Sequence, residues 1–126
     1  ILRAFHFYDD DQRVVDQVAA LREGDFDRFL ELIIESGISS WMLCQNCYSC
    51  SVVHEQGISI ALAVSEDILK GRGAWRVHGG GFAGTIQAFV PAALLSTYIE
   101  RQQAIFGADA CHQLMIRPVG ATQLIV

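Results

Sequence analysis

Three cysteines, Cys44, Cys47 and Cys50, form the most conspicuous reactive group in the sequence. Thiolates at this spacing can reach one zinc ion or iron–sulfur cluster if the backbone between them forms a loop. Conceivable fourth ligands are His54, Cys111 and His112. Structural zinc sites usually pair two such groups, and the ferredoxin run adds a fourth cysteine followed by proline. On a helix the three cysteines would instead share a face as small apolar residues, which is the favoured interpretation.

Three consecutive glycines, Gly79 to Gly81, together with Gly84 match the pattern G-x-G-x-x-G. A dinucleotide site needs a strand before this pattern and a helix after it, whereas residues 85–90 have the composition of a strand. A protein-kinase loop needs a lysine on the next strand, and the only lysine, Lys70, precedes the glycines. The run therefore predicts either a simple hairpin turn or a backbone that another segment or a ligand approaches closely.

The four histidines have no paired nucleophile or carboxylate at a spacing typical of hydrolases. His78, directly before the glycines, could reach a substrate or a phosphate. A structural histidine on a strand is the favoured alternative, because adjacency in sequence is not geometry.

Apolar periodicity predicts five helices. The first would begin at Asp9–Asp11, carry Val14, Val18 and Leu21, and stop at Gly24. The second would begin at Asp25 and end at Gly37, and a short third would be capped by Ser39 or Ser40. The last two would span residues 54–69 and the stretch from Pro91 to Gly107.

Residues 74–78, 85–90, 114–116 and 124–126 read as strands. In the first, Trp75 and Val77 would lie on one face, and Arg76 and His78 on the other. Helices followed by strand, strand, helix, strand and strand indicate an α+β fold, with helices on one face of a mostly antiparallel four-stranded sheet.

The 126 residues fit a single domain, residues 1–126. A net charge of −5 with nine scattered basic residues argues against nucleic acid or an anionic membrane as partner. No apolar run approaches the roughly 20 residues of a membrane span. Four cysteines in such a composition indicate reduced thiols in the cytoplasm. The chain begins with Ile1 rather than Met, which predicts a piece of a longer protein.

Residues 73–85, Gly-Ala-Trp-Arg-Val-His-Gly-Gly-Gly-Phe-Ala-Gly-Thr, resemble the third signature of galactokinases in the GHMP kinase superfamily. That signature reads Gly-Ala-Arg-Met-Thr-Gly-Gly-Gly-Phe-Gly-Gly-Cys. Weaker matches are distributed along nearly the whole chain, at residues 13–14, 24–26, 35–40 and 116–120. The chain departs from the family pattern at Gly37 (histidine in the family), His78 (threonine), Ala83 (glycine) and Thr85 (cysteine).

The resemblance implies the carboxyl-terminal domain of an ATP-dependent sugar kinase that converts galactose to galactose 1-phosphate, with a ferredoxin-like two-layer sandwich fold. The family's catalytic aspartate and arginine and its serine-rich phosphate loop belong to the amino-terminal domain, and neither motif occurs in this sequence. We therefore expect ATP and Mg²⁺ to act in the full-length parent, and the chain alone to bind neither and to be inactive. The resemblance assigns support of the phosphate loop to Gly79, Gly80, Gly81, Phe82 and Gly84.

Two alternatives remain open at this point. One is a stand-alone ferredoxin-like binding or dimerisation module, and the other is a metal-binding module that uses Cys44, Cys47 and Cys50. For the kinase, the expected partners are the missing amino-terminal domain, the sugar and ATP. A surface that normally faces another domain would also promote self-association of the chain.

Overall fold

A computed structural model of the chain describes residues 1–82, 84–120 and 123. It has the α+β composition predicted from the sequence. In chain order the elements are helix α1 (Leu2–Glu23), helix α2 (Phe26–Ser39), a π-helical turn (Ser40–Cys44), helix α3 (Gly57–Leu69), strands β1 (Ala74–Val77) and β2 (Ile86–Phe89), a 3₁₀ turn (Ala92–Leu94) and helix α4 (Leu95–Phe106).

Helices α1 and α2 form a hairpin whose corner was predicted correctly. Gly24 ends α1 in the left-handed conformation (φ 75°). Asp25 caps α2, because its Oδ1 accepts a hydrogen bond from the Arg28 N–H at 3.0 Å.

The predicted start of the first helix at Asp9–Asp11 is wrong, because α1 already begins at Leu2. An aspartate is tolerated within a helix when its carboxylate has a partner, and Asp10 lies 3.2 Å from the Arg13 guanidinium.

The predicted end of α2 at Gly37 is also wrong. The helix continues to Ser39, and Gly37 brings it close to β1: a Cβ at this position would lie 2.8 Å from the Cβ of Arg76. Ser39 and Ser40 keep helical backbone angles instead of capping a new helix, because their hydroxyls bond to groups on other segments. The helical run ends at Gln45 (φ 50°).

The two central strands were predicted correctly and pair antiparallel, from Ala74 opposite Phe89 to Val77 opposite Ile86. The described residues form a two-stranded sheet, so the predicted four-stranded sheet is wrong for them. Leu114–Ile116 are exposed and form no strand, since a strand needs a neighbour for its backbone groups. Leu124–Val126 lie outside the described residues.

Helices cover both faces of the β1–β2 hairpin, so the predicted two-layer arrangement with helices on one face is wrong. One face packs against α1 and α2, through a cluster of Ala20, Phe29, Ile33, Ala74 and Phe89. The opposite face packs against α3 and α4, through Ile58, Leu69, Trp75, Val77, Ile86, Ala88 and Tyr98. Both faces of the hairpin carry apolar side chains, and each needs its own cover.

Helix α1 turns a polar side towards α2 and an apolar side outward. His6, Asp10 and Arg13 are half-buried, and of the residues in α1 only Ala20 is fully buried. The outer face of α1, defined here as Phe7, Val14, Val18 and Leu21, is 42–66% exposed. The predicted stripe of Val14, Val18 and Leu21 is therefore helical but does not face the core.

Among the described residues, none of the helices combines the length and apolar character needed to cross a bilayer.

Candidate functional site

The candidate site is the glycine loop, residues 78–85, which joins β1 to β2. Its base is closed by the His78 N–H, which donates to the Thr85 carbonyl at 3.1 Å. Gly79, Gly81, Phe82 and Gly84 all have positive φ, at 60°, 73°, 53° and 82°. Strand β2 follows directly after Thr85, which confirms the prediction that no helix follows the glycines and rejects the dinucleotide pattern.

The glycine loop is anchored by Asn46, a buried residue that the sequence did not single out. The Asn46 Nδ2 donates to the Gly80 carbonyl at 3.2 Å, and the Asn46 main-chain carbonyl accepts from the Phe82 N–H at 3.1 Å. Ser40 orients this amide, since its Oγ accepts from the Asn46 Nδ2 at 2.9 Å. The side chain is only 4% exposed.

Gly81 lies directly against Asn46. A Cβ at position 81 would overlap the Asn46 main-chain oxygen and come within 2.7 Å of the Asn46 Cβ. This close contact, together with a left-handed backbone, gives Gly81 a structural reason to be glycine.

Gly80, in contrast, has no structural requirement for glycine within the described chain. Its φ is not positive, and no described atom lies within 4 Å of where its Cβ would be. Gly79 is equally open but needs glycine for its φ of 60°. The outer edge of the glycine loop is therefore bare backbone that faces solvent.

His78 and Phe82 of the loop both have exposed side chains. His78 lies one residue beyond the end of β1, so it is not on the strand to which the structural interpretation assigned it. Phe82 has a positive φ, which is uncommon for a bulky residue, and its ring is 63% exposed. The loop therefore presents an imidazole and an aromatic ring beside exposed glycine backbone.

The cysteine triplet does not form a metal site in the structure. Cys44 ends the π-helical turn, Cys47 is buried beside Val77 and Ile58, and Cys50 is exposed. Across residues 1–82, 84–120 and 123, no group of three or more His, Cys, Asp or Glu side chains could hold a metal ion. Burial raises the pKa of the Cys47 thiol, which disfavours the thiolate that a metal would need.

The favoured cysteine interpretation is only partly correct. Cys47 does pack as a small apolar residue. Cys47 and Cys50 lie in the irregular segment after the π-helical turn, however, so the three cysteines do not share a helix face.

A second polar group, which the sequence analysis missed, links α1, α2 and β1. Arg76 Nη1 donates to Ser36 Oγ at 2.6 Å, and Ser36 in turn donates to Asp10. His6 Nδ1 and Ser39 Oγ are 3.0 Å apart. The sequence signal is the spacing of His6, Asp10 and Arg13 along one helix face. Both serines are at least 95% buried, so their hydroxyls tie α1, α2 and β1 together, whereas His6 and Asp10 remain half-buried.

No protein family model matches the chain, and no solved structure matches it. The interpretation of the glycine loop therefore depends on the chain's own residues and geometry.

Proposed function

We propose that the chain is the carboxyl-terminal domain of a cytoplasmic, ATP-dependent sugar kinase of the galactokinase type. In this proposal the glycine loop lies against the segment of the amino-terminal domain that cradles the nucleotide phosphates. The complete enzyme would use ATP and Mg²⁺ to convert galactose to galactose 1-phosphate.

The observation that carries the proposal is that position 80 is a glycine although nothing within the described chain requires one. Replacing a glycine by alanine where alanine can adopt the backbone angles stabilises a protein by roughly 0.4–1 kcal/mol, so a glycine at such a position calls for a reason. Neither its φ nor its described neighbours supply one. A surface that approaches the loop from outside the chain would supply it, and a nucleotide-cradling segment is such a surface.

The outer face of α1 supports the same conclusion. Its four apolar side chains are 42–66% exposed, while polar residues occupy the side of α1 that packs on α2. Several exposed apolar side chains on one side of a helix are typical of a face that another domain or subunit covers. The amino-terminal domain of the kinase is the partner that we propose for it.

The chain's contribution to phosphoryl transfer would be positioning. Catalysis of this reaction depends on alignment and on stabilising the charge of the phosphates, and the family's charged motifs are absent from this sequence. The loop would supply a close-fitting backbone wall through Gly79, Gly80, Gly81 and Gly84, with Phe82 beside it. His78 would lie nearest to the substrate.

The deciding experiment uses a full-length protein that carries this chain, assayed for ADP release with ATP, Mg²⁺ and a panel of hexoses. Gly80→Val should lower kcat/KM by about 100-fold, because small misplacements at a phosphoryl-transfer site are costly. The same substitution should leave the stability of the 126-residue chain unchanged, since the space around position 80 is open. Gly120→Val is the matched control, because Gly120 is also open and lacks a positive φ.

Wild-type activity in the Gly80→Val enzyme would refute the proposed role of the loop. Absence of activity towards every hexose in the full-length protein would refute the proposed kinase function. The isolated chain, given ATP, Mg²⁺ and galactose, should form no sugar phosphate.

The second candidate is a stand-alone binding or dimerisation module, and the outer face of α1 is the observation that favours it. The gene separates the two candidates. A serine-rich phosphate loop encoded upstream in the same reading frame supports the kinase, and a start codon close to Ile1 supports the module.

A further inference from the structure

We infer that Asn46 is the positioning residue of the glycine loop and that it fixes the shape in which Gly80 and Phe82 face outward. Its effect on catalysis rests on the proposed kinase function, whereas its effect on the shape of the loop does not.

Asn46 forms hydrogen bonds to the loop on both sides of Gly81. Its side-chain amide donates to the carbonyl before Gly81 at 3.2 Å, and its main-chain carbonyl accepts the N–H after it at 3.1 Å. Both protons of the Nδ2 group are used, one on Gly80 and one on Ser40. Asparagine suits this place because it is short and carries a donor and an acceptor on one planar group.

The position of Asn46 is itself fixed by its two neighbours. Gln45 follows the π-helical turn with a φ of 50°, and its N–H donates to the Trp41 carbonyl at 3.1 Å. Cys47 is 2% exposed and packs against Val77 and Ile58 in the core between β1 and α3. Asn46 thus connects the glycine loop to the packed core between β1 and α3.

The shape of the loop is not one that its sequence would adopt unaided. A left-handed backbone costs a non-glycine residue about 1–2 kcal/mol, and Phe82 adopts it with its ring 63% exposed. The exposed ring recovers little of that cost by burial within the chain. Strain that is maintained by surrounding hydrogen bonds, and not relieved locally, is typical of functional sites.

Amide hydrogen exchange of the folded chain, measured by NMR, tests the positioning role without any assumption about function. In Asn46→Asp the side chain keeps its size and can still accept from Ser40, but it places a carboxylate against the Gly80 carbonyl. We expect the Phe82 amide to exchange about tenfold faster relative to the Ile33 amide of α2, as loss of about one hydrogen bond implies. Ser40→Ala, which only releases the orientation of Asn46, should give a smaller change of the same sign.

Gln102→Ala is the matched control. Gln102 is also 4% exposed, and its side chain donates to the Ala61 carbonyl, to Ser65 and to Tyr98, all on the α3–α4 side. Its loss should weaken the fold generally and leave the ratio of loop to core exchange unchanged. The inference is overturned if Asn46→Asp and Ser40→Ala leave the Phe82 amide as protected as in the wild type, or if Gln102→Ala changes the ratio equally.

The consequence for catalysis is tested in the active full-length enzyme. Asn46→Asp should raise the KM for ATP about tenfold and leave the KM for the sugar unchanged, because Asn46 bonds to Gly80 and Phe82, which are proposed to face the nucleotide, and not to His78. Faster loop exchange without a change in the KM for ATP would leave the positioning role in place and contradict the proposed function of the loop.

Discussion

Replacing Gly81 by alanine offers a quantitative test of the contact between the glycine loop and Asn46. Gly79 is the natural comparison, because it has a similar left-handed backbone, with φ 60° against 73° at Gly81. The two glycines differ in their surroundings. A Cβ at position 81 would lie 2.7 Å from the Cβ and 2.8 Å from the Cγ of Asn46, whereas no described atom lies within 4 Å of a Cβ at position 79.

The expected free energies follow from this difference. Both alanines adopt a left-handed conformation at about 1–2 kcal/mol, offset by up to about 1 kcal/mol from the stiffer unfolded chain. Gly79→Ala should therefore destabilise the chain by about 1 kcal/mol or less. Gly81→Ala must also displace Asn46 and its two hydrogen bonds to the loop, each worth about 1 kcal/mol. We expect a total of about 3 kcal/mol for Gly81→Ala.

Urea unfolding followed by tryptophan fluorescence measures both variants, and equal m-values would show that only stability has changed. Trp75 is a suitable reporter because it packs in the core between the hairpin and α4. A difference of about 2 kcal/mol should also separate the two melting temperatures by roughly 8 °C. Free energies of unfolding for Gly79→Ala and Gly81→Ala that agree within about 0.5 kcal/mol would refute the overlap with Asn46.

Two further predictions concern the surface and the pH dependence of the chain. We expect concentration-dependent self-association through the outer face of α1. In light scattering, Val18→Asp should abolish this association, whereas the control Ala63→Asp, at an exposed position of α3, should not. A chain that stays monomeric at high concentration would contradict this expectation. Burial raises the pKa values of Cys47, Tyr98 and Cys111 above their ordinary values of 9.0, 10.0 and 9.0. Because the folded state then binds more protons than the unfolded state, these groups leave stability unchanged below about pH 8.5 and lower it as the pH rises further. Thermal unfolding between pH 7 and pH 10.5 should show this fall, and Cys47→Ala should make it shallower; a flat profile above pH 9 would count against the burial of these groups.

The local elements of the fold were readable from the sequence because their signals are local. Gly24 and Asp25 mark a helix end and a helix start through their own backbone and side-chain preferences. The alternation of residues 74–78 predicted a strand, and the β-branched and aromatic residues after the glycines predicted its partner. The glycine loop was chosen as the candidate site because residues 73–85 resemble a galactokinase signature, which is also a local run of sequence.

The errors lie where a residue's state depends on a remote contact. Gly37 has the usual sequence signature of a helix end, but it remains helical because α2 passes close to Arg76, which is 39 positions further along the chain. Asp10 looks like part of a helix cap, yet it lies within α1 and bonds to Ser36 of α2. Leu114 to Ile116 have the composition of a strand, but no neighbouring strand pairs with them in the described part of the chain.

Apart from the start of α1 and the end of α2, the sequence by itself determined where the helices and the two central strands lie and that glycine backbone joins the strands, because periodicity and turn preference act within a few residues. Only the tertiary structure decided that the apolar side of α1 faces outward, since the choice of buried face depends on which partner is present. It alone also revealed Asn46, whose side chain bonds to a loop carbonyl 34 residues away. A contact at that separation leaves no periodic trace in the sequence.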